Sequence, residues 1–123
     1  MYMIQTGNVD NLSRNYRDWF LGSFIDDELP FNTKNSKDFE IKWGKREKGY
    51  FARMKETPLP NPNCKSMGIL IYGELRYGFI LENTDQVKDF ILRNEGDYVF
   101  WTPDKLHEVE FLKDSLVITV RWY

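Results

Sequence analysis

Apolar and charged side chains alternate with a period of two from Asp38 onward, in one short segment after another. In the first of these segments, residues 39–43, Glu40 and Lys42 alternate with apolar neighbours. Successive side chains of a β-strand point to opposite faces of a sheet, so this period is typical of strands with two chemically different faces. The pattern predicts a protein built from short β-strands.

Turn-forming residues separate the alternating segments. Residues 26–36 are predicted to form a loop, residues 44–49 a charged turn, and Gly73 with Glu74 a tight turn in which glycine tolerates a positive φ. The prolines of residues 57–63 exclude a central strand, because proline supplies no donor to a β-ladder. The predicted strands are residues 39–43, 50–55, 67–72, 75–81, 87–92, 98–101, 107–111 and 116–122. About eight short strands without a long helix indicate an all-β sandwich or barrel.

The N-terminal residues are more polar than the rest. Asp10 or Asn11 is suited to cap a short helix near the N-terminus. The aromatic stretch at residues 19–25 fits both a helical and a strand periodicity. Because Gly22 disfavours a helix, a strand is predicted to begin near Trp19.

Length and charge restrict the classes of protein to which the chain can belong. Its 123 residues are enough for one domain, predicted as an N-terminal extension of residues 1–36 and a barrel of residues 37–123. The formal net charge is -2, and the basic residues are scattered among acidic ones, which argues against nucleic-acid binding. No apolar run approaches the roughly 20 residues of a membrane span, and the N-terminus lacks a basic segment followed by an apolar one. The single cysteine, Cys64, fits a reducing compartment. We therefore predict a soluble, cytoplasmic protein without nucleic-acid or membrane partners.

One segment near the C-terminus carries a family resemblance. Gly96 begins a turn, and His107, the only histidine, opens a predicted strand. Their spacing resembles the second sequence motif of the cupin superfamily, G-x5-P-x-G-x2-H-x3-N. Thr102 stands at the proline position, Asp104 replaces the second glycine, and Phe111 stands where the motif has asparagine. Asp is a fitting replacement, because it tolerates turn geometry.

The resemblance extends over about two-thirds of the chain, judged from turn and strand placement. Gly73 and Glu74 resemble the close of the first cupin motif, and residues 40–44 and 114–122 resemble small, uncharacterised single-domain bacterial cupins. The resemblance implies a double-stranded β-helix, or jelly roll, in which two antiparallel sheets enclose a cavity open at one end. The predicted fold class is accordingly an all-β jelly roll with a short N-terminal helical segment.

The metal ligands that the resemblance implies are missing from this sequence. In metal-binding cupins the first motif supplies two histidines and a glutamate, and the second motif supplies another histidine. Here Ser66 stands at the glutamate position and residues 60–63 span the histidine positions. A mononuclear iron, zinc or manganese site needs three or four converging ligands, whereas His107 and Cys64 would supply two. We predict a degenerate metal site and no cofactor.

His107 is the leading candidate for a functional residue. It shares a strand face with Val109 and Phe111, so we predict that it points into the barrel. There it would act as an acid or base, or as a hydrogen-bonding anchor for a ligand, tasks that suit histidine at neutral pH. The alternative is an inert relic that is hydrogen-bonded to a neighbouring side chain.

Lys42 and Arg53 are candidate ligand-binding cations whose direction the sequence leaves open. Alternation does not tell which face of a strand is interior, and the same holds for Arg121. If Lys42 and Arg53 point inward, they form a cationic floor for a carboxylate or phosphate. If they point outward, they belong to a solvated face with Glu40, the interpretation favoured because buried unpaired cations are costly.

Aromatic side chains are candidates for the wall of a ligand cavity. Tyr72, Tyr77 and Trp101 would suit an aromatic or sugar ligand, and Trp101 is favoured because it ends a strand just before the turn that leads to His107. The alternative is that these residues are simply core, where aromatic residues are common. The aromatic residues around position 20 would cover a sheet edge or form a homodimer contact, a pairing that the cupin resemblance implies.

The leading hypothesis for function is a cupin-like protein that binds a small polar or anionic molecule in a metal-free pocket around His107. One alternative is a metal-independent sugar isomerase or epimerase with His107 as general base and Tyr77 or Lys42 as acid. It requires a carboxylate from another strand to orient the imidazole. The others are a metal-dependent cupin enzyme and a dimerising scaffold without a ligand, so enzymatic activity is left open.

Overall fold

A computed structural model of the chain describes residues 4, 6–22, 36–53, 64–80, 86–102 and 107–123. They form one short helix and nine β-strands, and no helix among them is long and apolar enough to cross a lipid bilayer. The elements are α1 Val9–Ser13, β1 Trp19–Leu21, β2 Phe39–Arg46, β3 Phe51–Arg53, β4 Lys65–Tyr72, β5 Leu75–Ile80, β6 Val87–Leu92, β7 Tyr98–Trp101, β8 His107–Phe111 and β9 Ser115–Trp122.

The strands form two antiparallel sheets. The larger sheet has the order β1-β2-β9-β4-β7, and the smaller sheet has the order β3-β8-β5-β6. The chain changes sheet at nearly every connection, for example from β2 to β3, from β4 to β5 and from β7 to β8. This connectivity confirms the predicted all-β jelly roll with a short N-terminal helix.

The core lies between the sheets. Leu70 of β4 and Leu75 of β5 are completely buried, and each such side chain contributes about 1.5–3 kcal/mol to folding through removal of apolar surface from water. The other members of the cluster come from both sheets and are Tyr77, Phe79, Leu92, Trp101, Phe111 and Val117. Their packing holds the two sheets together.

The turn at Gly73 and Glu74 is a corner between the sheets rather than a hairpin. The strands before and after it, β4 and β5, pair in different sheets. Gly73 has φ +99°, and the Glu74 N–H donates a hydrogen bond of 2.9 Å to Ser115 Oγ. A Cβ on Gly73 would collide with the Ser115 side chain and lie 2.6 Å from the Asp114 carbonyl oxygen. Glycine is therefore required both by the backbone conformation and by the close approach of β9.

The first long strand continues through the region predicted as a charged turn. Strand β2 runs to Arg46, and Gly44 pairs with Val117 of β9. A Cβ on Gly44 would stand 2.9 Å from Val117 Cγ1, so this glycine makes room for packing between adjacent strands. The prediction of a turn beginning at Gly44 was wrong because glycine occurs in strands where another chain approaches closely.

The N-terminal helix and strand form as predicted, with a different cap. Asn8 is the N-cap, and its Oδ1 accepts a hydrogen bond of 3.1 Å from the Asn11 N–H. Asp10, predicted as a cap, instead accepts a hydrogen bond of 3.2 Å from Trp43 Nε1 and so ties the helix to β2. The predicted strand at Trp19 is β1, which pairs with β2 at the edge of the larger sheet.

Some sequence predictions fall on residues that the structure leaves undescribed. They include the loop at residues 26–36 apart from Ser36, the proline-rich residues 57–63, and Asp104 of the second motif.

The corner glycine gives a test of the fold. We expect Gly73→Ala to lower the free energy of unfolding by about 2 kcal/mol or more, because left-handed strain and a steric collision act together. Gly96→Ala is the matched control: Gly96 also has a positive φ of +88°, but a Cβ added there would meet no atom of the described residues within 4 Å beyond its chain neighbours. Urea denaturation of both variants measures the difference. Equal losses would contradict the close approach of β9 to this corner.

Candidate functional site

The charged face of β2 points into the barrel. Glu40 is only 3% exposed, and Glu40 and Lys42 pair across to Arg121 and Thr119 of β9. Lys42, Arg121 and Thr119 all line the space between the sheets. The favoured interpretation of this face as a solvated surface was therefore wrong for Lys42. The apolar side chains of the same strand point to the outside of the larger sheet instead.

A cavity of about 90 Å³ lies between the sheets. Its floor and walls come from β2, β3, β5, β7, β8 and β9, and from the turn that precedes β1. The polar lining residues are Asp18, Lys42, Arg46, Tyr50, Tyr77, His107, Thr119 and Arg121. The cavity brings His107, Trp101, Tyr77 and Lys42 together, four of the residues singled out from the sequence.

Three cations and two carboxylates give one side of the cavity a net positive charge. Arg46 forms an ion pair with Asp18, and Arg121 lies 3.8 Å from Glu40. Lys42 forms no ion pair with any carboxylate of the residues that the structure describes, although it lies within electrostatic range of Asp18. The charge of Lys42 is thus the least compensated of the three.

Burial lowers the pKa of Lys42 from its ordinary value of 10.5. The negative charge of Asp18 offsets part of this effect, while the positive charges of Arg121 and Arg46 lower the pKa of Lys42 further. Both causes make the ammonium form of Lys42 costly in the protein as it stands, and both would be relieved by an anion in the cavity.

Trp19 of β1 contributes an aromatic face to the cations. The centroid of its ring lies 5.7 Å from Lys42 Nζ and 4.5 Å from the guanidinium carbon of Arg121. Cation–π contacts of this kind contribute about 0.5–2 kcal/mol each, which is less than the cost of removing a charged side chain from water. The aromatic residues around position 20 were predicted to cover a sheet edge or form a dimer contact. Strand β1 lies at the edge of the larger sheet, and its Trp19 ring packs against the interior cations.

The other side of the cavity is aromatic. The His107 ring lies 4.8 Å from that of Trp101 and 5.8 Å from that of Phe79, measured between centroids. Tyr77 packs against Trp101 at 5.7 Å. Burial raises the pKa of Tyr77 well above its ordinary value, with a partly opposing contribution from a hydrogen bond to Thr119, so the phenol retains its proton. Tyr77 is consequently a hydrogen-bonding group here and a poor proton donor for catalysis.

Arg53 points away from the cavity. Its neighbour Ala52 lines the interior, whereas the Arg53 guanidinium forms a 2.8 Å ion pair with Glu108 on the outer face of the smaller sheet. Arg76 lies 3.1 Å from the same carboxylate. Burial alone would raise the pKa of Glu108, but the hydrogen bonds from Arg53 and Arg76 outweigh it and the pKa is lowered. Arg53 is thus a partner of Glu108 and does not form part of a cationic floor.

Tyr72 also lies outside the cavity. It is 43% exposed at the end of β4 and borders a separate surface groove together with Trp43, Asp10 and Asp114. Alternation alone would place Tyr72 inward with Ser66 and Leu70, but the pairing of β4 with β9 is irregular between Leu70 and Tyr72, and Tyr72 is turned outward.

Arg46 and Asp18 are cavity residues that the sequence did not reveal. Arg46 was assigned to a turn, although it continues the inward series of Glu40 and Lys42 at a spacing of two residues. Asp18 gave no signal, because its carboxylate reaches Arg46 through a left-handed turn with φ +76° that no sequence pattern specifies.

The described residues of the barrel do not fit a divalent metal. Among the described residues, no three His, Cys, Asp or Glu side chains converge as metal ligands. Ser66, at the glutamate position of the motif, pairs across to Trp101 and Arg121. Burial raises the pKa of the Cys64 thiol, which favours the protonated form over a metal-binding thiolate. The three cations around the cavity would in addition repel a metal ion.

Comparisons with known proteins define the fold. No protein-family model matches the chain, and neither does any curated protein sequence. Among solved structures, KdgF from Halomonas sp. superposes with a TM-score of 0.53 and 20% sequence identity over 71% of this chain and 71% of that chain. A cupin superfamily protein from Desulfitobacterium hafniense gives a TM-score of 0.54 and 17% identity over 71% and 69%. A conserved protein of unknown function from Streptococcus pyogenes gives 0.55 and 14% identity over 71% and 66%. The chain therefore has the cupin fold, and the resemblance seen in its sequence is confirmed at that level.

Replacement of Lys42 tests its burial and lack of a counter-ion. We expect Lys42→Met to raise the free energy of unfolding of the ligand-free protein by about 1 kcal/mol near neutral pH, because an apolar side chain replaces a desolvated charge. A lowered pKa means that the unfolded chain binds more protons than the folded chain between that pKa and 10.5. The stability of the native protein should therefore rise with pH over this window, and the advantage of the variant should shrink.

Lys45→Met is the matched control, since Lys45 is exposed on the same strand. Its effect should stay within about 0.5 kcal/mol. Denaturant titrations at several pH values measure both variants. A loss of stability in Lys42→Met that is greatest at neutral pH would contradict the account of a costly interior charge.

Proposed function

We propose that the protein binds a small molecule through an acidic group, a carboxylate or a phosphate, held in the barrel cavity. The observation that carries the proposal is the position of Lys42: it lines the cavity beside Arg46 and Arg121 and has no ion pair with a carboxylate of the described residues. Enclosed cavities lined by one sign of charge attract ligands of the opposite sign.

The three cations contribute to the proposed anion binding in different ways. Lys42 supplies a compact ammonium charge, which is most costly when the cavity holds no anion and most favourable when it does. The guanidinium groups of Arg46 and Arg121 supply planar donors suited to paired carboxylate or phosphate oxygens. Since Asp18 and Glu40 already neutralise part of the arginine charge, Lys42 is the residue on which affinity should depend most.

His107 and Trp101 form the opposite wall of the proposed site. Their rings are in contact at 4.8 Å, and both line the cavity. We assign His107 the role of a hydrogen-bonding anchor for the ligand and Trp101 the role of an apolar wall. Tyr77 and Thr119 add neutral hydroxyl groups to the same cavity. Binding of a small polar anion thus uses charge on one side and hydrogen bonding with apolar contact on the other.

The binding function has better support than either enzymatic alternative. A metal-independent isomerase needs a carboxylate to orient His107, but Asp18, the carboxylate among the described lining residues, is engaged by Arg46. Glu108, next in sequence to His107, is held on the outer face by Arg53 and Arg76. A metal-dependent enzyme lacks converging ligands among the described residues. KdgF has the same fold, and at 20% identity its likeness supports nothing narrower than a cupin-like cavity.

We also propose that two copies of the chain pair and that the protein is cytoplasmic. Exposed aromatic side chains on the outer face of the larger sheet, among them Phe39, Tyr98 and Phe100, favour pairing with the same face of a second copy. A single buried cysteine, Cys64, suits a reducing compartment.

Titration with two small anions tests the proposed binding site. We expect inorganic phosphate or acetate to bind the native protein and Lys42→Met to weaken that binding about tenfold or more, because a charge-assisted contact is lost. Affinity should fall as pH rises through the lowered pKa of Lys42, and binding should be accompanied by proton uptake. Isothermal titration calorimetry in buffers of different ionisation enthalpy measures both effects.

The controls for this titration are Lys45→Met and His107→Gln. Lys45→Met should bind like the native protein, because Lys45 is outside the cavity, and His107→Gln should weaken binding without abolishing its pH dependence. The proposed function is wrong if neither anion binds, or if loss of Lys45 weakens binding as much as loss of Lys42.

Pairing is tested by sedimentation equilibrium at micromolar concentrations. We expect a dimer for the native chain and a shift toward monomer for Phe39→Ser, because that side chain is 40% exposed on the proposed contact face. Phe51→Ser is the control, since Phe51 is 49% exposed on the outer face of the other sheet. A native monomer, or an equal shift in both variants, would argue against this interface.

A further inference from the structure

An apolar groove adjoins the cationic cavity. It encloses about 340 Å³ beside β7, where the smaller sheet and the larger sheet meet at β6 and β7. Its apolar lining consists of Phe79, Ile80, Phe90, Val99, Phe100 and Trp101. Lys88 is the one charged lining residue among those described, and its Nζ lies 5.3 Å from the centroid of the Phe90 ring.

The groove and the cavity share a wall. Trp101 lines both, and its ring contacts His107 at 4.8 Å on the cavity side. Phe79 extends this wall, since its ring lies 5.8 Å from both Trp101 and His107 and 5.9 Å from Phe90 in the groove. A continuous set of aromatic rings therefore borders both the cationic interior and the apolar groove.

The cavity is small and largely polar, whereas the groove is larger and largely apolar. A volume of 90 Å³ is about that of three water molecules, enough for an acidic group and little more. Small-molecule sites usually offer about 300–1,000 Å³, so most of a metabolite must lie outside this cavity. The adjoining groove has a volume in that range and is lined almost entirely by apolar side chains.

We propose that the ligand is an amphipathic anion whose carboxylate or phosphate lies in the cavity at Lys42 and whose apolar chain or ring lies in the groove against Trp101, Phe79 and Phe90. This inference rests on the proposed function, and it names the class of ligand which that function takes. Burial of the apolar part supplies affinity in proportion to the surface it removes from water.

A second surface groove is less suited to hold the apolar part of the ligand. The larger surface groove near Tyr72 is bordered by Asp10, Asp18, Glu47 and Asp114. Arg14, Lys45 and Arg46 line the same groove, so its lining is mostly charged and suits the apolar part of a ligand less well than the groove beside Trp101. None of the described residues lining the groove at Phe90 is acidic. The ligand should therefore extend from the cavity toward β6 and β7.

The experiment is a calorimetric titration with straight-chain carboxylates from acetate to octanoate. In the native protein we expect affinity to rise about fourfold per methylene over the part of the series that the groove accommodates, which corresponds to about 0.8 kcal/mol per methylene. Octanamide, which has the chain without the charge, should bind at least tenfold more weakly than octanoate. These measurements use the native chain and do not depend on any variant that fails to fold.

Phe90→Ala should flatten the dependence on chain length while leaving acetate affinity unchanged. Phe51→Ala is the matched control, because Phe51 has similar exposure on the opposite side of the smaller sheet and should keep the full dependence. If acetate or phosphate binds through Lys42 but affinity does not rise with chain length, or if octanamide binds as tightly as octanoate, the assignment of the groove is overturned and the acid-binding cavity stands. If no carboxylate and no phosphate binds, the proposed function fails and this inference fails with it.

Discussion

The interior position of the charged face of β2 is the constraint on which the account of this protein depends. A strand that turned Glu40 and Lys42 to solvent would leave a barrel filled with apolar side chains and no reason to bind an anion. In the structure, the apolar side chains of β2 form the outer face of the larger sheet. The charged side chains of β2 face the smaller sheet across a small cavity. Interior charge is costly, and the proposed binding of an anion would offset that cost.

The cavity contains cations suited to bind an anion, but few of the groups that a catalytic site requires. Arg46 is hydrogen-bonded to Asp18 and Arg121 lies 3.8 Å from Glu40, whereas Lys42 forms no ion pair among the described residues. The buried phenol of Tyr77 keeps its proton, and His107 packs against Trp101. In place of the metal ligands that the cupin resemblance implied, the described part of this barrel presents positive charge and neutral hydroxyl groups.

Much of the fold could be predicted from the sequence, because strand period and turn residues are local signals. The strands from β4 to β9 follow the alternating segments closely, and the motif at Gly96 and His107 indicated the jelly roll. The direction of Lys42 and Arg53 could not be predicted, since a period of two is unchanged when the two faces of a strand are exchanged. The contribution of Asp18 depends on tertiary contact and a left-handed backbone, for which a sequence has no periodic signal.

The most direct test of the central claim is a site-resolved NMR titration of the Lys42 side chain, with and without phosphate. Without an anion, Lys42 should titrate below its ordinary value of 10.5, because burial and neighbouring positive charges disfavour the ammonium form. Phosphate in the cavity should raise that pKa, because it stabilises the ammonium form. A Lys42 that titrates at its ordinary value in both conditions would contradict an interior cation awaiting an anionic ligand.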